Sequence, residues 1–366
     1  MNFYFNIEAL KKRVDKINQL RLRRAVDSVN KNFIKVYSLL PILFHYHHQM
    51  IPGFVEGNVP HGICFFSPDI GQLRWLSKLD CFLPFRSITS YTMPIAAIYS
   101  MGSTSSLGQN QSSDIDIWVC CSTFLSNEEK VILKKKCILI EQWAASMFVK
   151  TTIFLIDENS FRCYKNDFSK ENYGLVQRVF LLDEFYRTSV RIAGKRLLWN
   201  MVPVEEEPYY DEYVIMLYNK RILNPNEWLD FGGLYYLSYF NFFSHNLHQL
   251  NKSNDCKYKI ILKKILFESY LRYYKKNNLL AIEFKKYLHT GKIICYGLDS
   301  YCLMLDRVTR YLYETNELTR LEFIRRCFYL KVSKMFYKNI KNVQFSSWRK
   351  IALTQLIDSW GWSRNF

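Results

Sequence analysis

The stretch from residue 94 to residue 157 constrains the fold most, because apolar runs of strand length alternate there with helix-forming segments. PIAAIYSM (94–101), DIDIWVC (114–120) and TTIFLID (151–157) are rich in Ile, Val, Thr and aromatic residues. Such short apolar runs read as buried strands. SNEEKVILKKKCILIEQWAAS (126–146) lies between the last two, and Ser126 followed by Glu129 is a capping box that predicts a helix start. The small polar segment after the first strand predicts a short helix opened by Gly102 and Ser103. Strand, helix, strand, helix, strand makes an α/β unit, a small sheet with flanking helices.

On either side the pattern is helical. Ile7, Leu10, Val14, Ile17 and Leu20 recur at three- and four-residue steps and predict a helix over 7–29. Its other faces carry Lys11, Lys12, Arg13, Lys16, Arg21, Arg23 and Arg24, which read as a solvated basic surface. Pro41, Pro52, Gly53, Gly57 and Pro60 predict turns in the next stretch. Beyond residue 173 a long helix is expected over 175–199, interrupted at Gly194, with others near 210–221, 257–275, 300–314 and 318–337. The expected organisation is a helical lead-in (1–90), a catalytic core (91–200) and a helical domain (201–366).

Fifty basic against thirty-three acidic residues give a net charge of +17, which suits a polyanionic ligand. The chain is also rich in Lys, Asn, Ile, Tyr and Phe, whose codons are AT-rich, so charge alone does not point to nucleic acid, and nucleic acid is not the expected partner. No apolar run approaches the ~18 residues of a membrane span. MNFYFNIEALKKRVDK lacks the apolar core of a secretory signal, so a cytoplasmic protein is expected. Ten cysteines without a CxxC pair read as reduced thiols rather than a zinc or redox site. HYHH (45–48) lacks Cys or carboxylate partners at zinc spacing and reads as packing after a turn at Pro41. LDFGGL (229–234) has neither GxGxxG nor Walker spacing and reads as a turn.

The chemistry is concentrated in MGSTSSLGQNQSSDIDIWVC (101–120). On a strand Asp114 and Asp116 point to one side, with Cα atoms roughly 6.5–7 Å apart. Two carboxylates so placed repel unless a cation lies between them, and Mg²⁺ takes such hard oxygen ligands while leaving room for phosphate and water. Upstream, the Gly102 backbone can approach a phosphate closely and the Ser103 hydroxyl can donate to it. Asp157, ending the third strand, is the expected third carboxylate, with Glu158 its rival because a one-residue slip swaps faces. Arg187, Arg191 and Lys195 fall at i, i+4 and i+8, a stripe that could hold the β- and γ-phosphates if the helix continues. Each signal has an ordinary alternative: a solvated Asp-x-Asp edge, plain capping at Gly-Ser, and an Asp183–Arg187 salt bridge.

Joined in this order, apolar strand, Gly-Ser, hDhDh (h apolar) and a later strand ending in Asp, the set resembles the nucleotidyltransferase superfamily of polymerase-beta type. The full string is narrower and resembles the class I adenylate cyclases of gamma-proteobacterial type. LPILFHYHHQMIPGF, GNVPHGICFF, LLDEFYRTSVRIAGKRLLWNMVP, NEWLDFGG, YCLMLDRVTRYL and RRCFYLKVSK resemble that family too, so the likeness runs along essentially the whole chain. It implies a polymerase-beta-like core of α+β or α/β class, followed by a mainly helical domain. It implies ATP as substrate, cyclic AMP and pyrophosphate as products, and Mg²⁺ as cofactor, two ions with Mn²⁺ able to substitute. Gly102, Ser103, Asp114 and Asp116 match the family motif; Asp157 and the basic stripe extend it on structural grounds. The family's large C-terminal regulatory region, with its regulatory protein contacts, is expected to be absent from this chain. The alternatives are a nucleotidyltransferase acting on a separate acceptor and an inactive truncated protein that binds nucleotide or nucleic acid.

Overall fold

The computed structural model describes residues 2–27, 29–79, 92–110, 113–158, 172–234, 257–273, 279–292, 295–337 and 347–362. Gln111 and Ser112 of the central motif, and Cys81, Cys163 and Cys256, lie outside them.

Helices α1 (Asn2–Ala25), α2 (Lys31–His45) and α3 (Ile70–Ser77) precede β1 (Ile95–Met101) and β2 (Ile115–Cys121). Helix α4 (Asn127–Ser146) crosses over to β3 (Thr151–Asp157), and α5 (Asn172–Thr188) leads into β4 (Val190–Gly194). These four strands form one sheet in the order β3-β2-β1-β4. β1 is antiparallel to β2 and β4, whereas β2 and β3 run parallel, so the sheet is mixed. Next come β5 (Arg196–Leu197), α6 (Tyr210–Asn219) and β6 (Trp228–Leu229), with β5 and β6 paired as a small ribbon. The C-terminal part is helical: α7 (Lys257–Arg272), α8 (Leu280–Thr290), α9 (Ser300–Glu314), α10 (Leu318–Tyr337) and α11 (Ser347–Ser359).

Alternation along β2 divides the core. Ile115, Ile117, Val119 and Cys121 pack with α2 and α4 through Phe33, Val36, Leu40, Phe44, Leu133, Cys137 and Ile140. Trp118 and Cys120 pack on the other side with Phe185 and Tyr186 of α5 and with the C-terminal helices. The sheet is therefore buried on both faces, and each fully buried Leu, Ile or Phe contributes about 1.5–3 kcal/mol. Ser126 caps α4 as its sequence requires, accepting from Glu129 N–H while the Glu129 carboxylate accepts from Ser126 N–H.

Four expectations are corrected. No helix opens at Gly102; residues 102–108 form consecutive turns, with Ser105 at φ 70 and the Ser103 carbonyl accepting from both Ser106 N–H and its hydroxyl. The helix expected over 175–199 ends at Thr188, and residues 190–194 become an edge strand, because pairing with β1 outweighs the local helical pattern. Pro41 lies inside α2 rather than in a turn. Its interior cost of ~3 kcal/mol is offset by burial of Leu39, Leu40, Ile42, Leu43 and Phe44 around it. The basic faces of α1 are not uniformly solvated. Arg13 donates to Leu288 O and His289 O, Arg21 to Arg187 O, Ser189 O and Leu298 O, and Arg24 to Tyr296 O. Guanidinium forks thus staple the N-terminal helix to carbonyls near the ends of later elements.

Gly194 ends β4 at φ +89, and a Cβ there would stand 2.4 Å from Ala96 O and 2.5 Å from Ala97 Cα. Gly194→Ala is expected to destabilise the fold by about 2 kcal/mol or more, measured as a drop in the urea midpoint at unchanged m-value.

Candidate functional site

Asp116 is the second residue of β2 and lies opposite Met101, the last residue of β1. The chain turns at once through Gly102, φ +80, and a Cβ there would stand 3.3 Å from Asp116 Oδ2. Glycine is needed here twice over, for the left-handed backbone and for room beside the carboxylate. Asp114 stands one residue before β2, its carboxylate 41% exposed and its Oδ2 2.5 Å from Lys150 Nζ. Two residues beyond Asp116 on the same face, Trp118 is buried in a parallel stack on Phe185, ring centroids 4.0 Å apart. That stack brings the last turn of α5 to the glycine turn. Gly102 N–H donates to Thr188 Oγ1 at 3.1 Å, and the Thr188 hydroxyl donates to Glu184 O at 2.6 Å. The Gly102 amide is thereby committed to the protein, while Ser103 beside it lines a cleft.

Gly102 and Ser103 line a cleft with Glu184, Arg187, Thr188, Lys259, Lys263, Ser300 and Tyr301. Lys263 Nζ lies 3.1 Å from Glu184 Oε2. Burial works against the Glu184 charge, but Lys263, Lys259 and Arg187 outweigh it and hold its carboxyl down at about 2. Arg187 is held by Asp183 Oδ2 at 3.4 Å. Asp183 also accepts from Tyr270 OH and Ala281 N–H, which fastens α5 to α7 and α8. Arg187, Lys259 and Lys263 share this cleft with a glycine turn that abuts Asp116, an arrangement suited to a polyanion.

The structure brings Gly102, Ser103, Asp114, Asp116 and Arg187 to one end of the sheet and places the other sequence-derived candidates elsewhere. Asp157 lies opposite Cys121, five residues along β2 from Asp116, and belongs to the opposite face of the sheet, where it pairs with Lys130 of α4. The parallel register sets this: Thr152, not Asp157, is the β3 neighbour of Asp116. Glu158 accepts from Asp230 N–H at 3.0 Å. With α5 ending at Thr188, Arg191 and Lys195 leave the helix altogether. Arg191 pairs with Asp15 at 2.9 Å, and Lys195, whose N–H donates to Ala96 O, sits toward the far end of β1. Both line a separate groove along the edge strand.

Sequence reasoning missed Glu184, Thr188, Lys259 and Lys263. Lys259 and Lys263 were visible as an i, i+4 pair, but nothing local shows that they face a turn 150 residues earlier. Among the described residues no group of three or more His, Cys, Asp or Glu side chains could hold a metal. In the HYHH run, buried His45 accepts from Ile63 N–H through Nδ1, and burial lowers its pKa to about 4. Among the described residues no helix is long and apolar enough to cross a membrane.

Comparison with known proteins gives two family matches, the adenylate cyclase NT domain over residues 6–200 and the second domain of class-I adenylate cyclase over residues 237–366. The chain is 53% identical over 363 residues to an adenylate cyclase of Proteus mirabilis, 51% over 363 residues to one of Yersinia intermedia, and 49% over 362 residues to one of Escherichia coli K12. Each match covers 98% of this chain but 42% of the relative, so the chain spans less than half the length of these curated proteins. No solved structure matches.

A carboxyl whose pKa is lower folded than unfolded stabilises the fold above its unfolded value and loses that contribution as pH falls toward the folded one. For Glu184 that window runs from 4.5 down to about 2. The stability advantage of wild type over Glu184→Gln is therefore expected to be full at neutral pH and to shrink steadily below about pH 4.5, read from urea midpoints across the acid range.

Proposed function

The chain belongs to the class-I adenylate cyclase family, and from that premise we propose that it closes ATP into 3′,5′-cyclic AMP and pyrophosphate. The observation that carries this reading is the meeting of the Asp114–Asp116 pair, the Gly102–Ser103 turn and the Arg187, Lys259 and Lys263 wall at one end of the sheet. The reaction is in-line attack of the ribose 3′-hydroxyl on the α-phosphate of the same molecule. Nucleophile and electrophile are already joined, so the protein's main task is to bend the nucleotide into an attacking geometry.

The chemistry of the donors fits a divalent cation. Both carboxylates are oxygen donors, Asp114 is 41% exposed, and Gly102 leaves space beside Asp116 Oδ2. Asp114 and Asp116 would hold Mg²⁺, two ions in this reading, with Mn²⁺ able to substitute. Bound there, the cations would lower the pKa of the attacking hydroxyl and neutralise triphosphate charge. The chain's own groups do the remainder. Ser103 donates to a phosphate oxygen, while Lys259, Lys263 and Arg187 draw the β- and γ-phosphates toward the cleft and stabilise charge on the departing pyrophosphate. Asp157, Arg191 and Lys195 have no part in this reading.

The polymerase-beta nucleotidyltransferase fold is part of the same proposal, supported by the mixed sheet and the Gly-Ser to Asp-x-Asp order along it. So is the division into a lead-in (1–90), a core (91–200) and a helical domain (201–366), together with a cytoplasmic location.

The test is incubation of the purified chain with labelled ATP and Mg²⁺ and no added acceptor. Cyclic AMP is the expected product; AMP found attached to another molecule would replace the cyclase with a transferase. Asp116→Asn is expected to lower turnover by ~10³-fold or more with the fold intact by circular dichroism. Lys259→Met and Lys263→Met are each expected to raise KM for ATP roughly tenfold. Near-normal turnover in Asp116→Asn would remove the metal assignment.

A further inference from the structure

Residues 102–109 of the loop that joins β1 to β2 are tied to other elements at several points besides Gly102. Asp299, the N-cap of α9, accepts from Leu107 N–H at 2.9 Å. A further external tie is Arg349 in the first turn of α11, which is 1% exposed. Its guanidinium donates to Arg24 O at 3.0 Å and Asp27 O at 2.7 Å, at the end of α1. On the loop it donates to Ser106 O at 3.4 Å and Gln109 Oε1 at 3.2 Å. Gln109 completes the arrangement: its Oε1 also accepts from Ser105 N–H, and its Nε2 donates to Ala25 O. Two segments distant in sequence, residues 24–27 and 106–109, thus converge on one side chain, and Ser106 N–H and hydroxyl both return to the Ser103 carbonyl.

Neighbouring Trp348 offers a comparison, because its hydrogen bond goes to the end of α1 and not to the loop. Its Nε1–H donates to Asp27 Oδ2 at 2.8 Å, and its ring carries the Arg24 guanidinium 3.9 Å from the centroid. These contacts tie α11 to α1 and the residues just after it, and the ring also lies 4.8 Å from the Arg349 guanidinium, a contact that Trp348→Phe would keep, while Arg349 reaches on to the loop. Docking two helices does not require a buried cation, whose desolvation is costly. Fixing carbonyl and amide acceptors on two separate segments does call for a planar, multi-donor fork.

We propose that Arg349 is a positioning residue of the nucleotide site, fixing the 102–109 loop through Ser106 and Gln109 so that Ser103 keeps its place in the triphosphate cleft. The role in substrate binding rests on the ATP reading above; the hold on the loop does not.

The experiment compares Arg349→Met, Gln109→Leu, their double variant and Trp348→Phe in the full chain, reading amide exchange at 102–109 together with KM for ATP and kcat. Arg349→Met and Gln109→Leu are each expected to speed exchange at Ser105 to Leu107 and to raise KM roughly tenfold, with kcat within about threefold. The double variant should be no worse than either single one, because both remove the same coupling. Trp348→Phe should lower the melting temperature while leaving loop exchange and KM at wild-type values. Arg349→Lys, which keeps the charge but loses the fork, should fall between wild type and Arg349→Met, and it carries the comparison if the Met variant does not fold. Wild-type loop protection in the Arg349 variants, or an equal rise of KM in Trp348→Phe, would overturn the proposal. A wild-type chain that makes no cyclic AMP would remove the reaction, and loop exchange alone would then decide the clamp.

Discussion

The stacking of Trp118 on Phe185 is the contact on which the site depends. Trp118 lies two residues from Asp116 on the same face of β2, and Phe185 lies between Glu184 and Arg187 in the last turn of α5. Placing the two rings face to face therefore sets a helix end against a carboxylate-bearing strand end. Phe231 packs edge-on against both rings, at 5.7 and 5.6 Å, and Tyr186 stacks on Trp199 at 4.2 Å. Each aromatic contact adds about 0.5–1.5 kcal/mol beyond its burial. The geometry matters more than the energy, because the cluster leaves Thr188 within reach of Gly102 N–H.

Charge is handled differently inside and at the cleft. In the interior, Lys285 is fully buried, bonded to Glu207 at 2.6 Å and set 4.0 Å from the Trp199 ring centroid, while Glu207 also accepts from Trp199 Nε1–H and Leu234 N–H. A buried ion pair persists only when its remaining hydrogen-bonding capacity is met in this way. At the cleft, Lys263 and Glu184 are about one-quarter exposed and open toward the glycine turn. Lys263 there keeps water that the buried Lys285 has lost. The basic residues are thus divided among structural staples such as Arg21 and Arg349 and a set that lines the cleft.

The C-terminal helices are part of the site rather than an appendage to it. Lys259 and Lys263 come from α7, Ser300 and Tyr301 from α9, and the loop between β1 and β2 is tied to Asp299 and Arg349. A core made only of the sheet with α4 and α5 would carry the carboxylates but lack most of the basic wall. This dependence agrees with a family likeness that continues through residue 366.

By itself the sequence determined three strands, read at 94–101, 114–120 and 151–157 and found at 95–101, 115–121 and 151–157, because their apolar runs are short and bounded by polar turns, and the α4 start, because the Ser126–Glu129 box is local chemistry. Alternation also predicted Asp114 and Asp116 on one side of a strand, and the structure has Asp116 on β2 and Asp114 one residue before it. Register and long-range pairing lay beyond it. Only the parallel alignment of β3 with β2 carries Asp157 to the far end and opposite face, and only pairing with β1 converts 190–194 from an apparent helix into a strand, separating Arg191 and Lys195 from Arg187. The cleft likewise assembles residues 102–103, 184–188, 259–263 and 300–301. Such distant groups meet because burying both faces of one small sheet leaves the helices few other places to pack, a constraint of the whole core that no local stretch of sequence carries.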